Sequence, residues 1–196
     1  RYAAFDRAHG ISHVRTVIAQ SLALAAHYDV DPAMVYTIAA YHDTGLVEGR
    51  ERHHVVSAGI VADDRQLAQW FSAEQIAVMS QAVEDHRASS DHVPRSIYGR
   101  IVAEADRCID AETILRRTVQ YGLDHYPAFG REEQYVRCVE HLERKYAEGG
   151  YLQLWIAESD NALRLEELRR TIRDKKRLRT LFDEIYDRET GHNPGQ

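Results

Sequence analysis

The chain has 196 residues, 44% hydrophobic and 29% charged, with a formal net charge of −6. That size and composition suit one globular domain and exclude a wholly disordered chain. The acidic balance, with a pI near 6.0, argues against a general nucleic-acid surface but leaves room for a local phosphate pocket.

Glycine and proline are few, and the pattern is helical nearly throughout. Ile11, Val14, Ile18, Leu22 and Ala25 recur at helical spacing and predict a first helix over about 11–28. Asp31 before Pro32 is an N-cap with proline at the first helical position; the helix it opens carries Val35, Ile38 and His42 in line and stops at Gly45. A polar loop, 46–52, leads to a short helix through Val56 and Ile60 to about Asp63. Ser72 with Gln75 three residues later is a capping box for a helix carrying Ile76, Met79, Val83 and then His86. After a loop at 87–95, a helix of about 96–109 turns Ile97, Ile101, Val102, Ala105 and Ile109 inward. Asp110 caps a further helix to about Tyr121, and a long helix over 131–147 ends at Gly149-Gly150. Tyr151–Ile156 reads as a short extended stretch, and 161–188 as one charged helix with Leu165, Leu168, Ile172, Leu178, Phe182 and Ile185 on its apolar side.

The expected fold is therefore all-α. Residues 1–196 are expected to form a single-domain helical bundle, with 111–190 completing it and the glycine pair at 149–150 the best boundary. Cys108 and Cys138 fall within helical patterns, lack metal-ligand spacing and read as core thiols of a reducing compartment. No apolar run reaches membrane-spanning length and no signal peptide is visible, so a cytoplasmic location is expected, with no membrane partner.

Four inward stripes end in ionisable groups. His42 continues Val35 and Ile38, His86 continues Val83, Asp106 lies between Val102 and Ile109, and His53 precedes Val56 and Ile60 by three and seven residues. A buried carboxylate without a partner costs several kcal/mol, and several pointing together need something positive between them. A divalent metal serves, with imidazole and carboxylate as its natural ligands. Singly, each residue has a plainer reading: a core histidine bonded to the backbone, or Asp106 paired with Arg107 or Arg100.

Taken in order, His13 in Ser12-His13-Val14, His42-Asp43 in Ala39-Ala40-Tyr41-His42-Asp43-Thr44-Gly45, and Asp106 closing Ile101-Val102-Ala103-Glu104-Ala105-Asp106 resemble the HD-domain superfamily of metal-dependent phosphohydrolases over about residues 5–110. The resemblance implies that His13, His42, Asp43 and Asp106 hold one divalent metal, with Mn, Mg, Fe, Ni and Zn all suitable. It implies hydrolysis of a nucleotide or other small phosphorylated metabolite. It also implies a second metal in some relatives, through histidines at the place of His53 and at a His-His pair where this chain has Asp85-His86. That departure leaves two alternatives. His53 and His86 are either further ligands or, with Asp43, acid–base groups contacting substrate. His54 competes with His53 for the inward place.

Arg50, Arg52, Arg87 and Arg95 flank this region. Arg52 and Arg87, with Asp85, are the candidate substrate-binding residues, and pairing of these arginines with Glu48, Glu51 or Asp91 is the structural alternative. His9, His27, His92, His125, His141 and His192 are expected at the surface. Tyr121 and Tyr126 read as core residues or as stacking partners for a base. The basic run from Arg169 to Arg179 is interleaved with acids and reads as a solvated face. A two-iron oxygenase of the same superfamily and a non-catalytic metal- or nucleotide-binding module are the rival functions. The apolar positions of 161–188 also suit a homodimer.

Overall fold

Local capping chemistry sets most of the helix starts in the computed structural model, which describes residues 2, 10–90, 92–107 and 109–191. Helix α1 spans Ile11–Ala25. Asp31 accepts a bond from Ala33 N at 2.8 Å and, with Pro32, starts α2, Pro32–Tyr41. A 3₁₀ turn, Thr44–Glu48, replaces the end of the helix expected to reach Gly45. Helix α3 spans His53–Asp63, and the Ser72–Gln75 capping box opens α4, Ala73–Glu84. Ser96 caps α5, Ile97–Asp106, and Asp110 caps α6, Ala111–His125, which runs one turn past the expected Tyr121. Helices α7, Arg131–Tyr146, α8, Asn161–Arg173, and α9, Lys175–Thr190, follow. Every regular element among the described residues is helical, as the all-α reading requires.

The expected single helix over 161–188 is two helices. Asp174 leaves the helical region (φ −79°, ψ 85°) and its carboxylate accepts from Arg177 N at 3.0 Å, ending α8 and capping α9. The apolar spacing carried the signal: Lys175 and Lys176 occupy the positions three and four after Ile172, and the stripe resumes only at Leu178.

The chain divides into two compact units. The first comprises Arg1–Arg107 with Gln153–Ser159. Its core gathers Val17, Met34, Ile38, Ala39, Val61, Met79, Val83, Val102 and Ala105, so that α1, α2, α3, α4 and α5 share one interior. Ile156 enters a smaller cluster with Ala25, Val35 and Ile101. Buried Glu104 fastens this returning segment, accepting from Trp155 N at 2.7 Å and from the Ser159 hydroxyl. The second unit comprises Cys108–Leu152 and Asp160–Gln196, and in it α6 packs on α7 and α9 while α8 packs on α7 and α9. Leu115, Val119, Cys138, Leu142, Leu168, Leu178 and Phe182 are buried there. Cys138 is thus a core thiol; Cys108 lies outside the described residues. No described helix is long and apolar enough to cross a membrane.

Candidate metal centre

Each candidate ligand sits at or near a helix end in the first unit. His13 lies in the opening turn of α1, His42 and Asp43 directly after α2, His53 at the first position of α3, His86 just past α4, and Asp106 at the last position of α5. Gly45 brings two of these segments together. A Cβ at Gly45 would lie 2.2 Å from the His53 carbonyl oxygen, and Gly45 N donates to Ser57 Oγ at 2.8 Å. Only glycine lets the turn after His42-Asp43 rest against the start of α3.

Three of the imidazoles are aimed by the same device. His42 Nδ1 lies 2.7 Å from Ala39 O, His53 Nδ1 2.8 Å from Arg50 O, and His86 Nδ1 2.5 Å from Val83 O. A carbonyl can only accept, so Nδ1 carries the proton in each ring and Nε2 of the neutral ring is a bare lone pair. These lone pairs form two groups. In the first, His13 Nε2 and His42 Nε2 are 3.3 Å apart, and Asp106 Oδ1 lies 3.2 Å from the former and 3.7 Å from the latter. In the second, His53 Nε2 and His86 Nε2 are 3.2 Å apart. Asp43 faces both. Its Oδ2 is 3.2 Å from His42 Nε2 and 3.6 Å from His13 Nε2, while its Oδ1 is 3.5 Å from His53 Nε2 and 3.6 Å from His86 Nε2.

Neutral lone pairs at these separations repel, and buried carboxylates beside them repel further. The donor set therefore fits a cation in each group, and nitrogen and oxygen without thiolate suit the divalent metals named above. The electrostatics agree. Burial favours neutral His13, yet Asp106 and Asp43 outweigh it and raise its pKa to about 9. Burial is likewise overcome at His42, raised chiefly by Asp43. Burial would raise Asp43 and Asp106, but the imidazoles hold both well below the usual carboxylate range. His53 behaves oppositely: burial and the neighbouring His86 push it down to about 4. A site that pulls protons onto two of its histidines pulls metal by the same field.

The remaining candidates divide. His53, not His54, faces the centre. His54 Nδ1 instead lies 3.2 Å from Arg87 Nη1, and burial with Arg87 lowers its pKa. Arg87 also donates to Glu51 O and to Ser89 Oγ, the latter at 2.9 Å. Arg52 is exposed immediately before His53. Asp85, a candidate for substrate binding, is instead buried in an ion pair: Arg95 N donates at 2.7 Å, Arg95 Nη2 at 2.7 Å, and His92 Nε2 lies 2.9 Å away. That pair also corrects the assignment of Arg95, whose partners are Asp85 and Glu84 rather than the acids of the 46–52 loop. Arg107 pairs not with Asp106 but with the His86 carbonyl, at 2.9 Å.

His27, His92 and His125 are exposed as expected, whereas His141 is half-buried, with its pKa pushed down to about 4 by burial. Tyr121 and Tyr126 are partly exposed rather than core, packed with His125, Phe129 and Arg137. His9, Asp91 and His192 lie outside the described residues. Sequence reading missed Tyr2, whose hydroxyl accepts from Asp43 N at 3.3 Å and whose pKa is raised, mainly by burial. No periodic pattern links residue 2 to residue 43, so nothing in the sequence could have flagged it.

Compared with known families, residues 10–110 match the family model of the HD domain. No curated protein and no solved structure matches the chain.

Proposed function

Since the chain belongs to the HD domain family, we propose that it is a metal-dependent phosphohydrolase with a two-metal centre, acting on a nucleotide or other small phosphorylated metabolite. One observation carries this reading: the Asp43 carboxylate turns one oxygen to each of two imidazole pairs. His13, His42 and Asp106 would hold one cation, His53 and His86 the other, and Asp43 would bridge them. Bound there, divalent cations acidify water to near-neutral pKa and offset the charge of phosphoryl oxygens.

The chain's own residues contribute the rest. The Nδ1–H bonds to Ala39, Arg50 and Val83 fix the rings in the ligating tautomer. In this reading His53 and His86 are ligands rather than acid–base groups. Arg52 and Arg87, next in sequence to His53 and His86, supply guanidinium forks suited to phosphate oxygens. His54, kept neutral beside Arg87, is the remaining imidazole available for proton transfer.

The experiment is metal content together with phosphate release from a panel of nucleotides and sugar phosphates. The wild type is expected to carry divalent transition metal and release phosphate, and His42→Ala to lose the first group's metal and the phosphate release. A folded His42→Ala chain with full activity would overturn the site. The second imidazole pair also favours a second reading, a two-iron oxygenase: two irons per chain and oxygen consumption without phosphate release would select it.

A further inference from the structure

Two adjacent residues at the end of α5 face different halves of the centre. Asp106 belongs to the first group, with Oδ1 3.2 Å from His13 Nε2. Arg107 leaves the helix (φ −75°, ψ 77°), is only 7% exposed, and donates from Nη1 to the carbonyl oxygen of His86 at 2.9 Å, a buried bond spanning 21 positions of sequence. His86 lies two residues beyond Glu84, the last residue of α4. There the helix ladder gives carbonyls no partner, so the main chain that carries His86 depends on bonds from elsewhere.

We propose that Arg107 is a positioning residue that couples the two donor groups, anchoring the main chain of His86 to the helix end that presents Asp106. The inference rests on the two-metal reading above. His86 is held twice: its ring by Val83 O at 2.5 Å, and its main chain by Arg107. The ring bond sets the tautomer and tilt, and the guanidinium sets where the ring begins. His42 of the first group donates from its ring to the Ala39 carbonyl within its own helix turn. Loss of Arg107 is therefore expected to weaken the second group more than the first. Fixed outer partners of metal ligands govern affinity by about 10- to 100-fold.

The test is a Mn²⁺ titration of metal-free full chain by calorimetry, with stoichiometry checked by mass spectrometry, and with His53→Ala marking the step that belongs to the second group. Arg107→Met is expected to keep the first step at wild-type affinity and weaken the second about 10- to 100-fold. Arg107→Lys, with one compact donor in place of the fork, is expected to fall between them. A merely structural role would weaken both steps alike, and that result, or a Met variant unchanged in both, would overturn the coupling. Should the Met variant fail to fold, the same split in Arg107→Lys decides the matter. A wild type that binds one cation only would overturn the two-metal reading and the coupling with it, whereas a two-step wild type confines any failure to Arg107.

Discussion

The two donor groups share Asp43 yet are built differently. The first takes His13 from inside α1, His42 from directly behind α2 and Asp106 from the end of α5. It combines two imidazoles with a carboxylate of its own, and Asp43 Oδ2 also faces both rings. The second takes His53 from the first position of α3 and His86 from beyond α4, and its carboxylate is Asp43, whose Oδ1 faces both rings. A divalent cation gains more from the group richer in negative charge. If both groups hold cations, as proposed, the first would be the stronger holder, because it alone has a carboxylate besides Asp43.

Asp43 is the point where that comparison breaks completely. Asp43→Ala removes an oxygen from both groups, and its loss is expected to exceed the roughly 10- to 100-fold penalty typical of outer partners, taking bound metal and phosphate release to background. Metal analysis after desalting, with circular dichroism to confirm the helices, checks it; retention of either cation would refute the bridge. The next effect sharpens the asymmetry. His53→Ala is expected to leave one cation bound and lower activity, whereas His13→Ala is expected to empty the tighter position and lower total occupancy further. Equal losses in the two variants would mean that the groups are not ranked by charge.

The same contrast explains what the sequence disclosed. His42 and Asp106 continue apolar stripes, and the order His13, His42-Asp43, Asp106 carries the resemblance to the HD domain, so the first group is legible in the sequence. The second was ambiguous because His53 and His54 are adjacent and a turn of about 100° per residue decides between them. Its resolution needed the start of α3 and the close approach at Gly45. Asp85 misled for a related reason. Asp85 is buried beside His86, and its partner, Arg95, sits ten residues on, after a loop whose path no periodicity specifies. The helices themselves were read well wherever a cap stood in front of an apolar stripe, as at Asp31, Ser72 and Asp110. The expected single helix differs from the structure at Asp174, where a cap stands inside a charged run and only the two-lysine gap in the stripe marks the break.

The smallest predicted effect concerns that Asp85 pair, and it separates support of the fold from service to the metals. Asp85 is buried and its carboxyl is held below its ordinary value: burial would raise it, but bonds from Arg95 and His92 prevail. A depressed folded-state pKa means that the ionised pair stabilises the fold fully above the unfolded carboxylate value of about 3.9, and that this stabilisation is lost as pH falls through and below it. Asp85→Asn keeps the size and one acceptor but removes the charge, and is expected to cost about 2 kcal/mol at pH 7, the scale of a hydrogen bond to a charged group. The gap between wild type and variant should stay constant from pH 7 to about 5 and close as pH falls below about 4. Urea melts of the metal-free proteins at these pH values measure it, and working without metal keeps proton competition at the histidines out of the comparison. A gap that persists unchanged at pH 3 would show that Asp85 acts through its shape and not through its charge.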